Sequence, residues 1–433
     1  MNIALMVFLA MVGAGETLHL TLHDVVQYAL KNNKDILIEE KNVEISKNKI
    51  TTQWGEFDPV FQITSSYTDA EDPTASTFIP SGAVSSKVFD LSLGLNGNLP
   101  TGTFYDLFNF EATRTRTNSP IEALSPYWQT SLSFTVGQEL LRNFGMDVNM
   151  AQITVAKRSK DISVKELERV ISDTLVKTES AYWELVAAYK FLDLAKTALD
   201  LALDLQRRNE IQVKVGVLPP VTVTQAKSEV AARQVDLIQA ENLLKQREDS
   251  LKNLLSIPLD TTLVPVDEPT TVLKPVDEKE AEETALKKRP ELAQAELNIK
   301  NKDTLKRFWW NQRLPRLAVQ GSVTLKGLGG EANPNRVSFG PDPSPQPISG
   351  RFDSAGDAFS QIGNGDFATW QVLGVLSIPL FNYTAKGEYR SSVAELHRSA
   401  LEYERLVDSV NLDVKNAVRE VQNSLRRIDA ANI

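Results

Sequence analysis

Between Val148 and Val215 the chain has neither glycine nor proline. A continuous helix over that run is roughly 100 Å long at 1.5 Å per residue. Helices of globular proteins average about a dozen residues, so this one sets the character of the fold. Its apolar positions follow a heptad: Ile171, Leu175, Thr178, Tyr182, Leu185, Tyr189 and Leu192. Ala181, Ala188, Ala195 and Ala202 recur beside it at the same period, and small residues there let neighbouring helices approach closely in a supercoiled wall. Gly216-Val217-Leu218-Pro219-Pro220 ends the run, because glycine admits a left-handed turn and proline forbids continuation. A second helix returns with 3,4 spacing from Val223 to Leu254, completing a long antiparallel hairpin. Arg233 and Arg247 interrupt its stripe two heptads apart. They are candidates to line a water-filled interior; the alternative is the edge of the seam, with packed stems and solvated heads.

The chain also repeats itself, and internal repeats decide architecture. Ala29-Leu30-Lys31-Asn32-Asn33-Lys34-Asp35-Ile36 aligns with Ala285-Leu286-Lys287-Lys288-Arg289-Pro290-Glu291-Leu292. The same register pairs Trp54 with Trp310, Pro59 with Pro315, and Phe61 and Ile63 with Leu317 and Val319. Further on, Trp128-Gln129 matches Trp370-Gln371. The unit is helix, strands, long helix. The expected division is a first copy over 16–256, with strands in 57–137 and the hairpin in 147–256. A proline-rich connector follows over 257–282, then a second copy over 283–433, with strands in 315–380 and the start of a long helix at 385–433. The second copy is shorter than the first, so a clipped chain is expected, with only one hairpin tip.

Segments near 57–68, 87–99, 103–114, 127–137, 315–325 and 369–380 alternate apolar and polar side chains. Phe89, Leu91, Leu93 and Leu95, and Trp128, Thr130, Leu132, Phe134 and Val136, are the clearest. Period-2 segments of about ten residues with aromatics near their ends suit a transmembrane barrel, with Trp128 and Trp370 as membrane-interface candidates. Leu99–Thr103 reads as a tight turn, and Lys326–Ala368, rich in glycine and proline, as one long surface loop. Four to six strands cannot close a membrane barrel, which needs about eight or more. Open edges are not tolerated in lipid, so the chain is expected to oligomerise around an axis.

The other sequence features mostly exclude. A net charge of −9 argues against nucleic acid as a partner. There is no cysteine, which removes disulfides, thiolate metal sites, cysteine nucleophiles and a lipidated N-terminal cysteine. His19, His23 and His397 read as surface residues. Residues 1–15 carry an apolar run, Ile3 to Val12, ending in Gly13-Ala14-Gly15, a signal-peptide-like segment without the usual basic start. No other run reaches the roughly 20 apolar residues of a spanning helix. Gly327-Leu328-Gly329-Gly330 has no helix after it and is no phosphate loop. No set of residues forms a catalytic constellation; no enzyme activity, cofactor or metal is expected.

Several motifs in order carry a resemblance. They are the twofold repeat, Ala29-Leu30-Lys31-Asn32-Asn33, the run Gln138-Glu139-Leu140-Leu141-Arg142-Asn143-Phe144-Gly145 after the strands, and Ala181-Tyr182-Trp183 on the long helix. Together they resemble the TolC-like outer-membrane factor family from about Thr17 onward. The resemblance implies an α+β membrane protein of the outer membrane with a large periplasmic part. Long helical hairpins form a periplasmic tunnel beneath an oligomeric β-barrel. It implies a homotrimer with a 12-stranded barrel in outer-membrane lipid, a periplasmic adaptor (membrane fusion) protein, and an inner-membrane pump of RND, ABC or MFS type. The chain would be the passive exit duct of a tripartite efflux or type I secretion system. The family's Val-Gly-Leu tip, which meets the adaptor, corresponds to Val215, Gly216, Val217 and Leu218, with Val217 departing from the pattern. A second departure is that the first copy holds four strands rather than two, so six per subunit would give a barrel of about 18 strands. The connector resembles the family's equatorial belt. The rival readings are a periplasmic coiled-coil adaptor and a structural coiled-coil protein.

Overall fold

The computed structural model describes residues 17–79, 81–269, 276–337, 350 and 352–431. The signal-like segment falls outside them, as does part of the connector. Eight strands and nine helices are described. In chain order they are β1 (Thr17–Leu20), α1 (Leu22–Asn32), α2 (Lys34–Trp54), β2 (Val60–Pro73), β3 (Ala83–Asn98), β4 (Thr103–Thr117) and β5 (Leu124–Glu139). The short α3 (Met146–Asn149) precedes the long α4 (Ala151–Lys214) and α5 (Val221–Leu255). Then come β6 (Thr262–Pro265), α6 (Glu278–Lys288), α7 (Pro290–Gln312), β7 (Arg316–Ala332), α8 (Ala355–Asn364), β8 (Phe367–Ser377) and α9 (Tyr383–Ala431).

The repeat is visible in the elements themselves. Three successive elements start 256 positions apart: Leu22 and Glu278, Lys34 and Pro290, Val60 and Arg316. Thus α1–α2–β2 corresponds to α6–α7–β7, and β5 to β8 through their tryptophans. Strands β3 and β4 have no counterpart between β7 and β8 among the described residues; α8 stands there instead.

The chain divides into two compact units. One comprises residues 1–47, 159–297 and 401–433, and its core lies where β1 and β6 pair in parallel beside α1, α4 and α5. Val25, Ala29, Tyr182, Leu185, Leu251, Leu255 and Leu263 are buried there. This explains two of the motifs. Ala29 is a core residue, and Asn33 is a buried joint: its side-chain oxygen accepts the Asp35 and Ile36 N–H groups, capping α2, while its amide donates to the Leu254 carbonyl at 2.9 Å. In Ala181-Tyr182-Trp183, Tyr182 is buried and its hydroxyl bonds the Leu20 carbonyl and the Asp267 carboxylate. Burial pushes the Tyr182 phenol above its ordinary pKa. Tyr189 donates to the Leu263 carbonyl at 2.9 Å, and burial raises its phenol likewise.

The second unit comprises residues 48–158 and 298–400 and holds one six-stranded antiparallel sheet in the order β2-β3-β4-β5-β7-β8. Several strands run longer than the alternation alone suggests, because polar and small residues continue them beyond the apolar stretch. The supposed loop from Lys326 to Ala368 is also partly ordered. Strand β7 runs to Ala332 and α8 stands within the segment, opened by a capping box of Ser354 and Asp357. The glycines of this segment serve packing. A Cβ at Gly327 would meet the Ala358 carbonyl, and one at Gly329 the Ser354 carbonyl, so only bare backbone lets α8 settle on β7.

Candidate functional site: a two-faced sheet and a helical tip

Side chains on a strand alternate between faces, so register decides whether six alternating strands make one surface or a patchwork. Here one row of facing residues reads Ile63, Leu93, Phe110, Leu132, Leu325, Ala368 across all six strands. The neighbouring row, on the other face, reads Gln62, Gly94, Asn109, Ser133, Thr324, Thr369. The sheet therefore has one apolar and one polar face. On the polar face Asp90 accepts from Ser66 and, at 2.7 Å, from Thr113.

Aromatics border the apolar band. Phe61, Phe108 and Tyr105 stand towards the end that carries the Leu99–Gly102 turn; Tyr67, Phe89 and Trp128 stand towards the other. From Phe61 to Tyr67 is about 20 Å along the strand at ~3.4 Å per residue. Arg114 occupies the Trp128 row and lies over its ring at 5.8 Å. Beyond that row the face turns charged, with Lys87 opposite both Asp69 and Arg116 and a 2.8 Å bridge from Lys87 to Asp69. A transmembrane barrel strand has this layout: apolar and lipid-facing outside, polar inside, aromatics at the two interfaces.

Trp128 and Trp370 both sit on the apolar face. Trp370 pairs with Val323, which faces Phe134 rather than Trp128. The two rings are thus near the starts of their own strands but staggered across the register, and stagger is what strand tilt in a barrel produces. Trp370 is 78% exposed. The tight turn anchors the other end of the sheet: Gly102, at φ +85°, passes so close to the Asn143 carbonyl that a Cβ would collide with it, and the Gly145 N–H donates to the Thr101 carbonyl.

The helical tip is a separate site. Gly216, at φ +79°, closes α4 with paired bonds, Val217 N–H to the Gln212 carbonyl at 2.8 Å and Gly216 N–H to the Val213 carbonyl at 3.0 Å. Pro220 then starts α5. The turn leaves Val215, Val217 and Val221 exposed, while Leu218 is half-buried. Arg233 is held within its own helix by Glu229 and Asp236, at 2.7 and 2.8 Å. Arg247 instead reaches from α5 to Glu184 on α4 at 2.9 Å. Both keep partly exposed heads. Neither Arg114 nor α8 was readable as part of a site from alternation, since an arginine breaks the apolar pattern and α8 is too short to show a period.

Residues 104–256 match the model of the family described as outer membrane efflux protein. That stretch, from β4 to the end of α5, resembles the family. Solved channels share the fold over nearly its whole described length. The CmeC outer membrane channel of Campylobacter jejuni superimposes with a TM-score of 0.63 at 15% identity, over 95% of this chain and 73% of that one. The outer membrane protein VceC of Vibrio cholerae gives 0.61 at 13%, over 95% and 81%. The MtrE outer membrane channel of Neisseria gonorrhoeae gives 0.58 at 15%, over 94% and 75%. No curated protein matches the sequence significantly. The family description and the names of these solved structures are those of outer membrane proteins, CmeC and MtrE being named as channels. What this chain shares with those channels is the fold, long helices joined to an antiparallel sheet.

Proposed function

We propose that this chain is the exit duct of a tripartite efflux or type I secretion assembly, passing substrates that an inner-membrane pump of RND, ABC or MFS type delivers. The observation that carries the reading is the two-faced sheet, apolar on one side and hydrogen-bonding on the other through all six strands. A passive duct needs a wetted wall and a lipid wall and no reactive group. In this reading Trp128 and Trp370 anchor the barrel at the membrane interface, and Arg233 and Arg247 border the tunnel. Val215, Gly216, Val217 and Leu218 meet the adaptor: exposed valines on a rigid turn offer apolar contact at little entropic cost.

The test is complementation. A strain lacking this gene should accumulate a pump substrate, and the full-length chain should restore export. Gly216→Asp should lose co-purification of the adaptor and restore nothing, while still reaching the outer membrane. Restored export by a chain that never leaves the periplasm would sink the duct reading.

A further inference from the structure

The sheet ends in two strands that do nothing to discourage pairing. Strand β2 is hydrogen-bonded only to β3, and β8 only to β7, among the described residues. Soluble proteins blunt such edges with lysine, proline, bulges or shortness. Strand β8, Phe367–Ser377, contains no charged residue and no proline. Strand β2 has no lysine or arginine, and its acids and its one proline begin only at Asp69. Both are long, at 11 and 14 residues, and their pairings to β7 and β3 show no register break. Their faces also agree in chemistry. The apolar side of β8 carries Trp370, Val372 and Leu376, and that of β2 carries Phe61, Ile63 and Tyr67. In hydrocarbon each unpaired backbone group costs several kcal/mol, so neither edge can stay open.

We propose that β8 of one copy adds antiparallel to β2 of the next, and that three copies close an 18-stranded barrel. The proposal rests on the duct reading for its membrane setting and its threefold assembly. The strand number comes from this chain alone. The repeat contributes two strands in its second copy, β7 and β8, and four in its first, where β3 and β4 form an added hairpin. That hairpin is no appendage: β2 is paired to β3 along the whole of β2, β4 pairs with β5, and the apolar and polar rows run through all four. Adding a hairpin keeps every strand antiparallel and leaves the same two edges outermost, so closure by β8 on β2 is undisturbed. Barrel diameter grows about linearly with strand number, so this ring is about one and a half times as wide as one of 12 strands, within the range that holds an open aqueous channel.

The chain has no cysteine, so engineered pairs report cleanly. In full-length protein in outer membranes, Gln371→Cys combined with Thr64→Cys or Ser66→Cys should form disulfides between copies up to a covalent trimer. Gln371→Cys with Ser65→Cys should not, since those side chains point to opposite faces. Glu111→Cys with Ser131→Cys, directly opposed on β4 and β5, should close within one copy. End-on electron microscopy of the unmodified protein in detergent should show a threefold ring of 18 strands. A 12-stranded ring overturns the proposal, as do Gln371→Cys disulfides to Thr113→Cys on β4 or Ser66→Cys disulfides to Gln129→Cys on β5. These outcomes are independent of export: a closed 18-stranded trimer that restores no efflux would leave the barrel standing and remove the duct function.

Discussion

At the residue scale, a few positions hold the backbone in conformations that the rest of the hairpin depends on. Gly216 is the plainest, because its φ of +79° is left-handed. Gly216→Val should cost about 1–2 kcal/mol locally, read as faster proteolysis at the tip, with the strands unaffected. Tyr182→Phe removes a hydroxyl shared by Leu20 and Asp267 and leaves a buried carbonyl without that donor. It should lower stability by about 1–3 kcal/mol in a denaturant titration. Asp24 gives a pH signature. Its hydrogen bonds from the Thr21 side chain and backbone hold its carboxyl below the ordinary value. The capping box therefore contributes fully above the unfolded carboxylate pKa of about 3.9 and fades as pH falls through the lowered folded value. Asp24→Asn should flatten that part of the acid-unfolding curve.

At the element scale, helices and strands were largely legible in the sequence, and the reasons are specific. The Gly- and Pro-free run became α4 because nothing in it breaks a helix, and Gly216 with Pro220 stopped it. The six strands announced themselves by period 2, since each has one apolar face. What stayed hidden was order without a period. Helix α8 has ten residues in a segment rich in glycine and proline, and its partner is the glycine stretch of β7, which reads as a loop because glycine has no side chain to alternate. The site residues were named by sequence position, but register alone separates Trp128 from Trp370, and only packing tells that Arg247 ties two helices while Arg233 ties none. Two predictions belong here. Gly327→Leu should dislodge α8 through the Ala358 carbonyl and expose residues 352–366 to protease without disturbing β2–β4. A double-mutant cycle on Arg247 and Glu184 should give a coupling of about 0.2–1 kcal/mol, because both side chains are about half exposed.

At the scale of the whole molecule, the repeat supplies the organisation and its inequality supplies the individuality. The six-stranded sheet leaves much apolar surface exposed in a single copy; Phe61, Ile63, Trp370 and Leu376 are all more than half exposed. Detergent-extracted protein should run as an oligomer that resists SDS at room temperature and collapses to the monomer on boiling. A species that stays monomeric and soluble without detergent would contradict both the membrane setting and the edge pairing.

In the proposed barrel, helix α8 would also act on the surrounding lipid. It covers the apolar face where β5 and β7 approach the end opposite the Leu99–Gly102 turn, and the surface it presents outward is Gly356, Ser360, Gly363 and Asn364, with Phe359 the one large apolar group. Over β2 and β3 the apolar surface at that level is still open, with Tyr67 and Phe89 exposed. The hydrophobic height of the wall therefore differs from one sector to another within each copy. In the proposed barrel the bilayer is expected to be thinner beside α8 than beside β2, at a fraction of a kcal/mol per Å of mismatch. Three such sectors around a ring would give the surrounding leaflet an undulating rim, with shorter-chained lipids gathering against the helix.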